Sequence, residues 1–591
     1  MPGIVGFTAA AAPRDHAGRV LQTMQDMITH ADFYQRDPLW SDDSVWATRS
    51  VTGVIKPEPQ PHSQEGVHVW MNGTIYNGDE VAATRGLPGG LDDLALMAAL
   101  YKQDSDFGFL RQLDGFYTAV VYDAGLCTVS LMTDRFGLRY LYWSIVNGGL
   151  VWGSETKVVL ALPGYKPRVN SQAAKELVRA GTIFEDHCLF DGVHLLAPGT
   201  VQTHDLNTRE VRSHQYWWWT DLPPVNHRMD VREAAEEMGR LFCPAVERAS
   251  AEPRINLELS GGLDSRAIFA AIPDGHEIHA YTAGRHGCDD ILIAGKVVRR
   301  RPGAAHHIFE IDGTEWVTPP TVHEIWEQDG HVTLLQIIGS VPKQANREEN
   351  FLRLNGLGGD TLLGGTYLTP HTLDKPITRE AISGFVRSRP DPDTFVNVER
   401  FGHLPKVDFY LIENRLRRMQ VSGIRRSLTL GEMRMPFMDY ALVDFSLSMP
   451  DRLRLESYAY RHMLLDVFPQ YYRDIPWQKK GGLIDRSDPL SRQAQLQKKL
   501  ARIVKKYKAK LGRREALQIG KSMTDRATWI RTEPMRSFFE GVLMNPDALY
   551  PDFHLREQVM QEWTAHFAGE NRSPQLCHIM TLEIWLREAG L

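Results

Sequence analysis

The chain has 591 residues, 43% hydrophobic and 24% charged, the balance of a folded globular protein and not of a disordered or fibrous one. That length exceeds one ordinary core and implies two or more domains. Lys and Arg total 67 against 73 Asp and Glu, and the resulting charge of -6 argues against a dedicated nucleic-acid binder.

No apolar run approaches the roughly 18 residues of a membrane span. The opening MPGIVGFTAAAAPRD lacks a basic start and a long apolar middle, so no signal peptide is expected. The cysteines Cys127, Cys188, Cys243, Cys288 and Cys577 are scattered without a CxxC pair, which predicts reduced thiols and a cytoplasmic protein.

Residues 1–215 carry short alternating runs broken by turn residues, the pattern of a layered α+β domain. VHVWMNGTIYN (67–77) alternates toward an expected turn at Asn72-Gly73. LDDLALMAALYKQ (91–103) has helical spacing, with Asp92 or Asp93 suited to its start. FYTAVVYDAGLCTVSLMTD (116–134) and YLYWSIVNGGLVWGS (140–154) each read as strand, turn, strand. The aromatic run Trp217–Trp219 and the prolines Pro223-Pro224 mark a domain boundary, the tryptophans reading as an interdomain seam.

From 230 to 591 the texture changes. A helix is expected over 232–249, then a strand at 255–260, a helix at 266–272, a strand at 277–284, a helix at 291–300 and a strand at 306–311. Strands alternating with helices predict a parallel sheet with ligands at the carboxyl ends of its strands. His306-His307 could suggest a metal, but adjacent strand residues point to opposite faces. QKKLARIVKKYKAKLGRR (497–514) concentrates positive charge that would suit an acidic partner or a substrate peptide.

Ser260-Gly261-Gly262-Leu263-Asp264-Ser265 follows a strand and opens a helix. The glycines let backbone approach an oligophosphate, the serines add donors, and the helix start favours negative charge. Asp264 among phosphates would repel them unless a divalent cation stood between. No Walker loop is present, and Gly356-Leu357-Gly358 lacks the third glycine of a dinucleotide fingerprint, Thr361 standing in its place.

This SGGxDS resembles the pyrophosphate loop of adenylating enzymes, and the chain as a whole resembles the asparagine synthetase superfamily. The likeness is carried by Asn72–Asn77, Asp134–Gly137, Ser154–Lys157, Leu196–Gly199, Asp289-Asp290, Asn355–Asp360 and Met433–Asp439, all in family order. It implies a degenerate type-2 glutamine amidotransferase domain over 1–215, with the α/β/β/α layers of an Ntn hydrolase. It further implies an ATP-pyrophosphatase domain over 230–591, built on an α/β PP-loop parallel sheet with a helical C-terminal extension.

By the same resemblance, ATP binds on Ser260, Gly261, Gly262, Leu263, Asp264, Ser265 and Gly358, and Mg²⁺ on Asp264 and Asp360. In Trp477–Gly482, Lys479 (with Lys480 as fallback) matches the family's catalytic lysine, placed to steady charge as it builds. Glu413 aligns approximately with a general base for the attacking amine.

Glutamine-using members carry Met-Cys-Gly-Ile-Val-Gly, whose cysteine attacks the glutamine amide. Here the segment is Met1-Pro2-Gly3-Ile4-Val5-Gly6, so a working glutaminase is not expected although Arg49, Asn72 and Gly73 persist. The branches that lost this cysteine resemble β-lactam or carbapenam synthetases and lasso peptide macrolactam synthetases. Leu357 stands where β-lactam formers have a catalytic Tyr, and Thr361 where asparagine formers have Glu. The expectation is therefore an ATP-dependent macrolactam synthetase of the lasso type, acting on a precursor peptide. A leader peptidase and a leader-recognition protein would be its partners, with no nucleic acid and no membrane. A β-lactam-type synthetase and an ammonia-dependent asparagine synthetase are the alternatives.

Overall fold

The computed structural model describes residues 2–54, 58–337, 352–383, 397–479, 481–496 and 522–591. The basic run 497–514 and Lys480 lie outside these residues. Two antiparallel sheets dominate the first half. One runs in space from His194–Leu195 through Tyr142–Val146, Gly149–Gly153, Gly3–Thr8 and Val45–Val51 to Gln35–Arg36. The other runs from Val211–Gln215 through Thr200–Asp205, Thr128–Thr133, Gly115–Asp123 and Val67–Ile75 to His62–Gln64.

Alternation along the strands decides how these sheets stack. Ile4, Val45, Trp70, Val120, Leu131 and Trp152 turn inward and share one small core between the sheets. Their neighbours Val5, Phe7, Val69, Met71 and Val121 turn outward into a second core shared with the helices Arg14–Met27 and Asp93–Gln103. The layers are thus helix, sheet, sheet, helix, as the amphipathic patterns require. Asp92 caps the second helix, accepting from the backbone N–H groups of Leu94 and Ala95 at 2.9 Å.

One expected turn is absent. The strand Val67–Ile75 runs straight through Asn72-Gly73 and pairs with Gly115–Asp123 along its whole length. Gly73 takes φ +122°, and a Cβ there would lie 2.0 Å from the Phe116 carbonyl oxygen. The glycine therefore serves close strand approach and not chain reversal.

In the second half five parallel strands lie in the spatial order Ala305–Glu310, Glu277–Gly284, Arg254–Glu258, Arg353–Leu354, Met433–Arg434. The chain builds outward from Arg254–Glu258 in one direction, then returns to its other side. The switch point lies between Arg254–Glu258 and Arg353–Leu354, where open parallel sheets bind ligands. Ile255 and Leu257 face a core shared with the helices Val231–Ala249, Asp264–Ala271 and Tyr458–Val467. Helices Arg526–Arg531, Met535–Leu543, Arg556–Phe567 and Ser573–Glu588 complete the C-terminal part.

Arginines join the two halves. Arg417 donates to the carbonyls of Gly137 at 2.9 Å and Leu196 at 2.6 Å, and Arg418 to that of Ile183 at 2.9 Å. Buried Asp329 receives Lys157 and Arg425 at 3.3 Å each, and Arg425 also donates to the Tyr142 hydroxyl at 2.8 Å. Trp219 stacks on Phe409 with centroids 5.0 Å apart, so the tryptophan run does lie in the seam. No described helix is long and apolar enough to cross a membrane.

Candidate functional site

The strand Arg254–Glu258 ends just before Ser260, and the helix Asp264–Ala271 begins inside the expected loop. The loop is held by its own serines: Ser260 N–H donates to Ser265 Oγ at 3.1 Å, and Gly262 N–H to Ser260 Oγ at 3.2 Å. Asp290 takes the Gly261 N–H at 2.9 Å on one carboxylate oxygen and the Gln478 amide at 2.7 Å on the other. The acidic pair Asp289-Asp290 therefore has a split task, with Asp290 fixing the loop and Asp289 lining the space beyond it. Arg266, fully buried, ties the Gly261 carbonyl (3.1 Å) to that of Pro476 (2.9 Å), and the Tyr472 hydroxyl donates to the Leu263 carbonyl at 2.8 Å.

The second glycine motif closes over this loop. Gly358 has φ +92° and opens the π-helical turn Gly359–Leu363 that carries Asp360. At Gly359 a Cβ would lie 2.5 Å from Asp264 Cγ, so a side chain there would displace the carboxylate. Asp264 and Asp360 thus face one another. Burial pushes the Asp264 carboxyl up to about 8, the charge of Asp360 adds to this, and Tyr460 and Lys479 oppose it.

Such a pair is costly without a cation. Among the described residues no group of three or more His, Cys, Asp or Glu side chains could hold a metal. Two carboxylates completed by phosphate oxygens and water form the ligand set that Mg²⁺ takes at nucleotide sites, and the residues present fit it.

Two cavities meet at this pair. One, of about 670 Å³, runs from Ser260, Gly262 and Ser265 along the sheet past Glu258, Tyr281, Asn355 and Leu357 to Gln420 and Arg526. The other, of about 660 Å³, is lined by Leu263, Asp289, Ser457, Trp477 and Lys479. Gly262, Asp264 and Asp360 line both. Lys479 thus joins the loop and both aspartates, its ammonium 6.0 Å from the Trp477 ring centroid.

Glu413 is not brought to this site. It lines neither cavity, and its carboxylate accepts from the Trp219 indole at 2.7 Å in the interdomain seam. Burial raises its carboxyl to about 7, with Arg400, Trp219 and Arg417 opposing. The expected general-base role does not follow from this position. Arg434 and Asp439 of the R-x-P-F-x-D segment are structural: Arg434 donates to the Arg248 carbonyl at 3.2 Å, and Asp439 caps the helix Tyr440–Ser448. His306 and His307 diverge, toward Thr282 at 3.0 Å and His279 at 2.9 Å.

In the first half, Pro2 is buried where the glutaminase thiol would stand, and its carbonyl accepts from the Asn72 amide at 3.1 Å. Asn72 Oδ1 in turn accepts from Arg139 at 2.8 Å, and Arg139 pairs with Glu432 of the second half. Arg49 is engaged by Asp37 at 2.7 Å, and Asp93 accepts from the Ile75 N–H at 2.7 Å. Residues that survive around the lost nucleophile are thus held by partners within the protein. Sequence reasoning missed Asn256, Glu258 and Arg353, which line the larger cavity. The signal was present in polar residues alternating with apolar ones inside a parallel strand.

Comparison with known proteins agrees with this architecture. The glutamine amidotransferase domain family matches residues 1–217, and the asparagine synthase family matches 237–399 and 427–587. The chain is 22% identical over 511 residues to asparagine synthetase [glutamine-hydrolyzing] 2 of Bacillus subtilis, covering 77% of this chain and 68% of that protein. It is 24% identical to a putative asparagine synthetase of Methanocaldococcus jannaschii, over 51% of this chain and 60% of that one. To amidase chyE of Penicillium rubens it is 28% identical, over 36% of this chain and 32% of that one. The chain thus spans about a third to two thirds of these relatives' lengths. A solved structure of the allosteric regulatory enzyme of purine biosynthesis aligns over 52% of this chain and 80% of its own, at 12% identity. Its TM-score of 0.26 carries no weight for the fold. On the match across most of its second half, and on the loop that match contains, the chain belongs to the asparagine synthase family, whose chemistry is ATP-dependent carbon–nitrogen ligation.

Proposed function

We propose that this chain closes a macrolactam in a peptide, joining the peptide's own N-terminal amine to an Asp or Glu side-chain carboxylate at the expense of ATP. The observation that carries this reading is Pro2, buried at the place of the thiol. Without that thiol no ammonia is released from glutamine, so the nitrogen comes from free ammonia or from the substrate, and an amine tethered to the activated carboxylate has the advantage of proximity.

A carboxylate does not condense with an amine in water, because its leaving group would be oxide. ATP is the co-substrate that changes this. The Ser260–Ser265 loop and the start of the helix Asp264–Ala271 are suited to its phosphates. Asp264 and Asp360 would hold Mg²⁺, which supplies charge neutralisation at the phosphates. The substrate carboxylate attacks the α-phosphorus and releases pyrophosphate toward the cavity of Lys479, whose cation opposes the growing negative charge. The amine then attacks the acyl carbon, AMP departs, and the net change is loss of one water. The larger cavity leaves space beside the loop for the few acceptor residues that carry the carboxylate and the amine, and holding them there favours ring closure over hydrolysis.

The relatives named asparagine synthetases, one of them matched over 77% of this chain, favour a second reading, amide formation on aspartate with free ammonia. A β-lactam-type closure of a small β-amino acid is a third, which Leu357 disfavours. The deciding experiment follows AMP with each acceptor. Peptides with a free N-terminus and an internal Asp or Glu should support AMP formation and give a product lighter by one water. AMP formation with aspartate and ammonium, or with a small β-amino acid, but not with such peptides would refute the proposal.

A further inference from the structure

The larger cavity reaches the sheet at its switch point, and there its wall is unusual. On the face of Arg254–Glu258 opposite Ile255 and Leu257 stands Asn256, and its register partner on the adjoining parallel strand is Arg353. Both line the cavity, and both are nearly inaccessible, at 2% and 5% exposure. Neither is satisfied. The amide of Asn256 has no hydrogen-bond partner on Nδ2 or on Oδ1, and Nε and Nη2 of Arg353 have none either. No ion pair joins Arg353 to a described carboxylate. Glu258, the nearest on the same face, is taken up by Asn355 at 3.0 Å and Ser427 at 2.6 Å. His279, on the other side of Asn256 in the same row, is occupied by His307 and Glu277.

A guanidinium and an amide side by side, both desolvated and both unpaired, are not accounted for by folding alone, because each unmet group costs free energy. Their chemistry names a complement. The Nε/Nη2 edge of arginine presents two parallel N–H donors that match the two oxygens of a carboxylate. Asn256 beside it offers one further donor and one acceptor, and the acceptor suits an N–H next to that carboxylate.

We propose that Arg353 and Asn256 form a subsite for an α-carboxylate and its adjacent N–H, as found at a peptide C-terminus or on an N-acyl amino acid. This deepens the reading of the chain as a ligase of peptide-like substrates and rests on it for the substrate's identity only. The carboxylate held there is not the one that is activated. Asn256 lies four residues before Ser260, roughly 13 Å of extended strand from the phosphate loop. The substrate therefore carries two acidic groups, one anchored on the sheet and one at the Asp264–Asp360 pair. Anchoring at one end would set which carboxylate reaches the loop.

The test uses the full-length protein and small probes, so it does not depend on turnover. Binding of N-acetyl-alanine and of N-acetyl-alaninamide is compared by ligand-observed NMR, with AMP present to fill the nucleotide part of the cavity. The acid should bind at least about tenfold tighter than the amide, the expected effect of a lost charge-assisted bidentate pair. Arg353→Gln should abolish that preference, Arg353→Lys should restore part of it, and Asn256→Ala should weaken the acid while ATP binding stays within about twofold in each variant. ATP binding also reports that each variant is folded. Equal binding of acid and amide to the wild type, or no binding of the acid at all, would overturn the subsite. So would a loss of ATP affinity in Arg353→Gln as large as the loss of the acid, since the pair would then belong to the nucleotide. A negative result here leaves AMP formation with cyclisable peptides untouched. Conversely, acid binding without any such turnover would refute the macrolactam reading and keep the subsite.

Discussion

Asp264 and Asp360 make sense only as a pair with something between them. Their carboxylates are crowded together by Gly359, and burial with mutual repulsion holds the Asp264 carboxyl up to about 8. Asp264→Asn and Asp360→Asn each remove one negative charge and keep the shape, so neither should harm the fold. Each should abolish pyrophosphate release from ATP, since the Mg²⁺ bridge to phosphate is lost. A variant with near wild-type release and the same Mg²⁺ requirement would show that its residue is no ligand. At this scale the sequence was most informative, because backbone approach to phosphate demands glycines and the loop is contiguous. Its blind spot was equally physical. Asn256 and Arg353 are 97 positions apart in the chain, and only the return of the strand Arg353–Leu354 beside Arg254–Glu258 makes them neighbours.

The expected strands and helices fall within one or two residues of the observed ones where a hydrophobic face is buried. The strand 277–284 coincides, and the expected helix 232–249 is observed as Val231–Ala249. The failures came where a local signal has two uses. Asn72-Gly73 has turn chemistry, yet the pairing of Val67–Ile75 with Gly115–Asp123 overrides it and uses the glycine for close packing. Glu413 matches a base by approximate alignment alone, but the turn there is π-helical, Ile412–Gln420, and its side chain is carried into the seam against Trp219. Its pH behaviour follows. The folded protein holds the Glu413 proton up to about pH 7, well above the ordinary carboxyl value of 4.5. The stability this group contributes is therefore full at low pH and is lost as pH rises through the window from about 4.5 to about 7. Glu413→Gln should match the wild type at pH 4 and exceed it at pH 8, by at most about 3 kcal/mol from a shift of this size. Denaturant titrations at the two pH values measure it, and a gap that widens toward low pH would reverse the assignment. Turnover should persist in Glu413→Gln, since this carboxylate lines neither cavity, whereas loss of turnover with retained ATP binding would restore it as a base.

Across the whole molecule the first half is a working part of the fold. Arg139 reaches from Asn72 to Glu432, Arg417 and Arg418 reach back to backbone carbonyls, and Lys157 meets Asp329 in the dry seam. None of this docking is legible in a linear sequence, because these contacts join groups 67 to 293 positions apart and depend on both halves having folded. The consequence for activity concerns glutamine. Glutamine hydrolysis needs a thiolate at the site where Pro2 now lies, and Cys188, Cys243, Cys288 and Cys577 are poorly suited to supply one. Burial pushes the Cys577 thiol up to about 12, and it raises those of Cys188, Cys243 and Cys288 as well. Incubation with glutamine, ATP and Mg²⁺ should therefore release glutamate only at background. Steady glutamate release would mean that another residue has taken over the attack, and the assignment of the first half would fail. If release is absent, any amide formed must take its nitrogen from free ammonia or from the substrate. Most free ammonia is protonated at neutral pH, while an amine tethered to the activated acyl group can act at an effective concentration of ~10⁵ M. Product formation should accordingly be insensitive to added ammonium and depend on a free amine within the acceptor. A rate that rises in proportion to ammonium, with an acceptor lacking its own amine, would instead assign the ligase to ammonia.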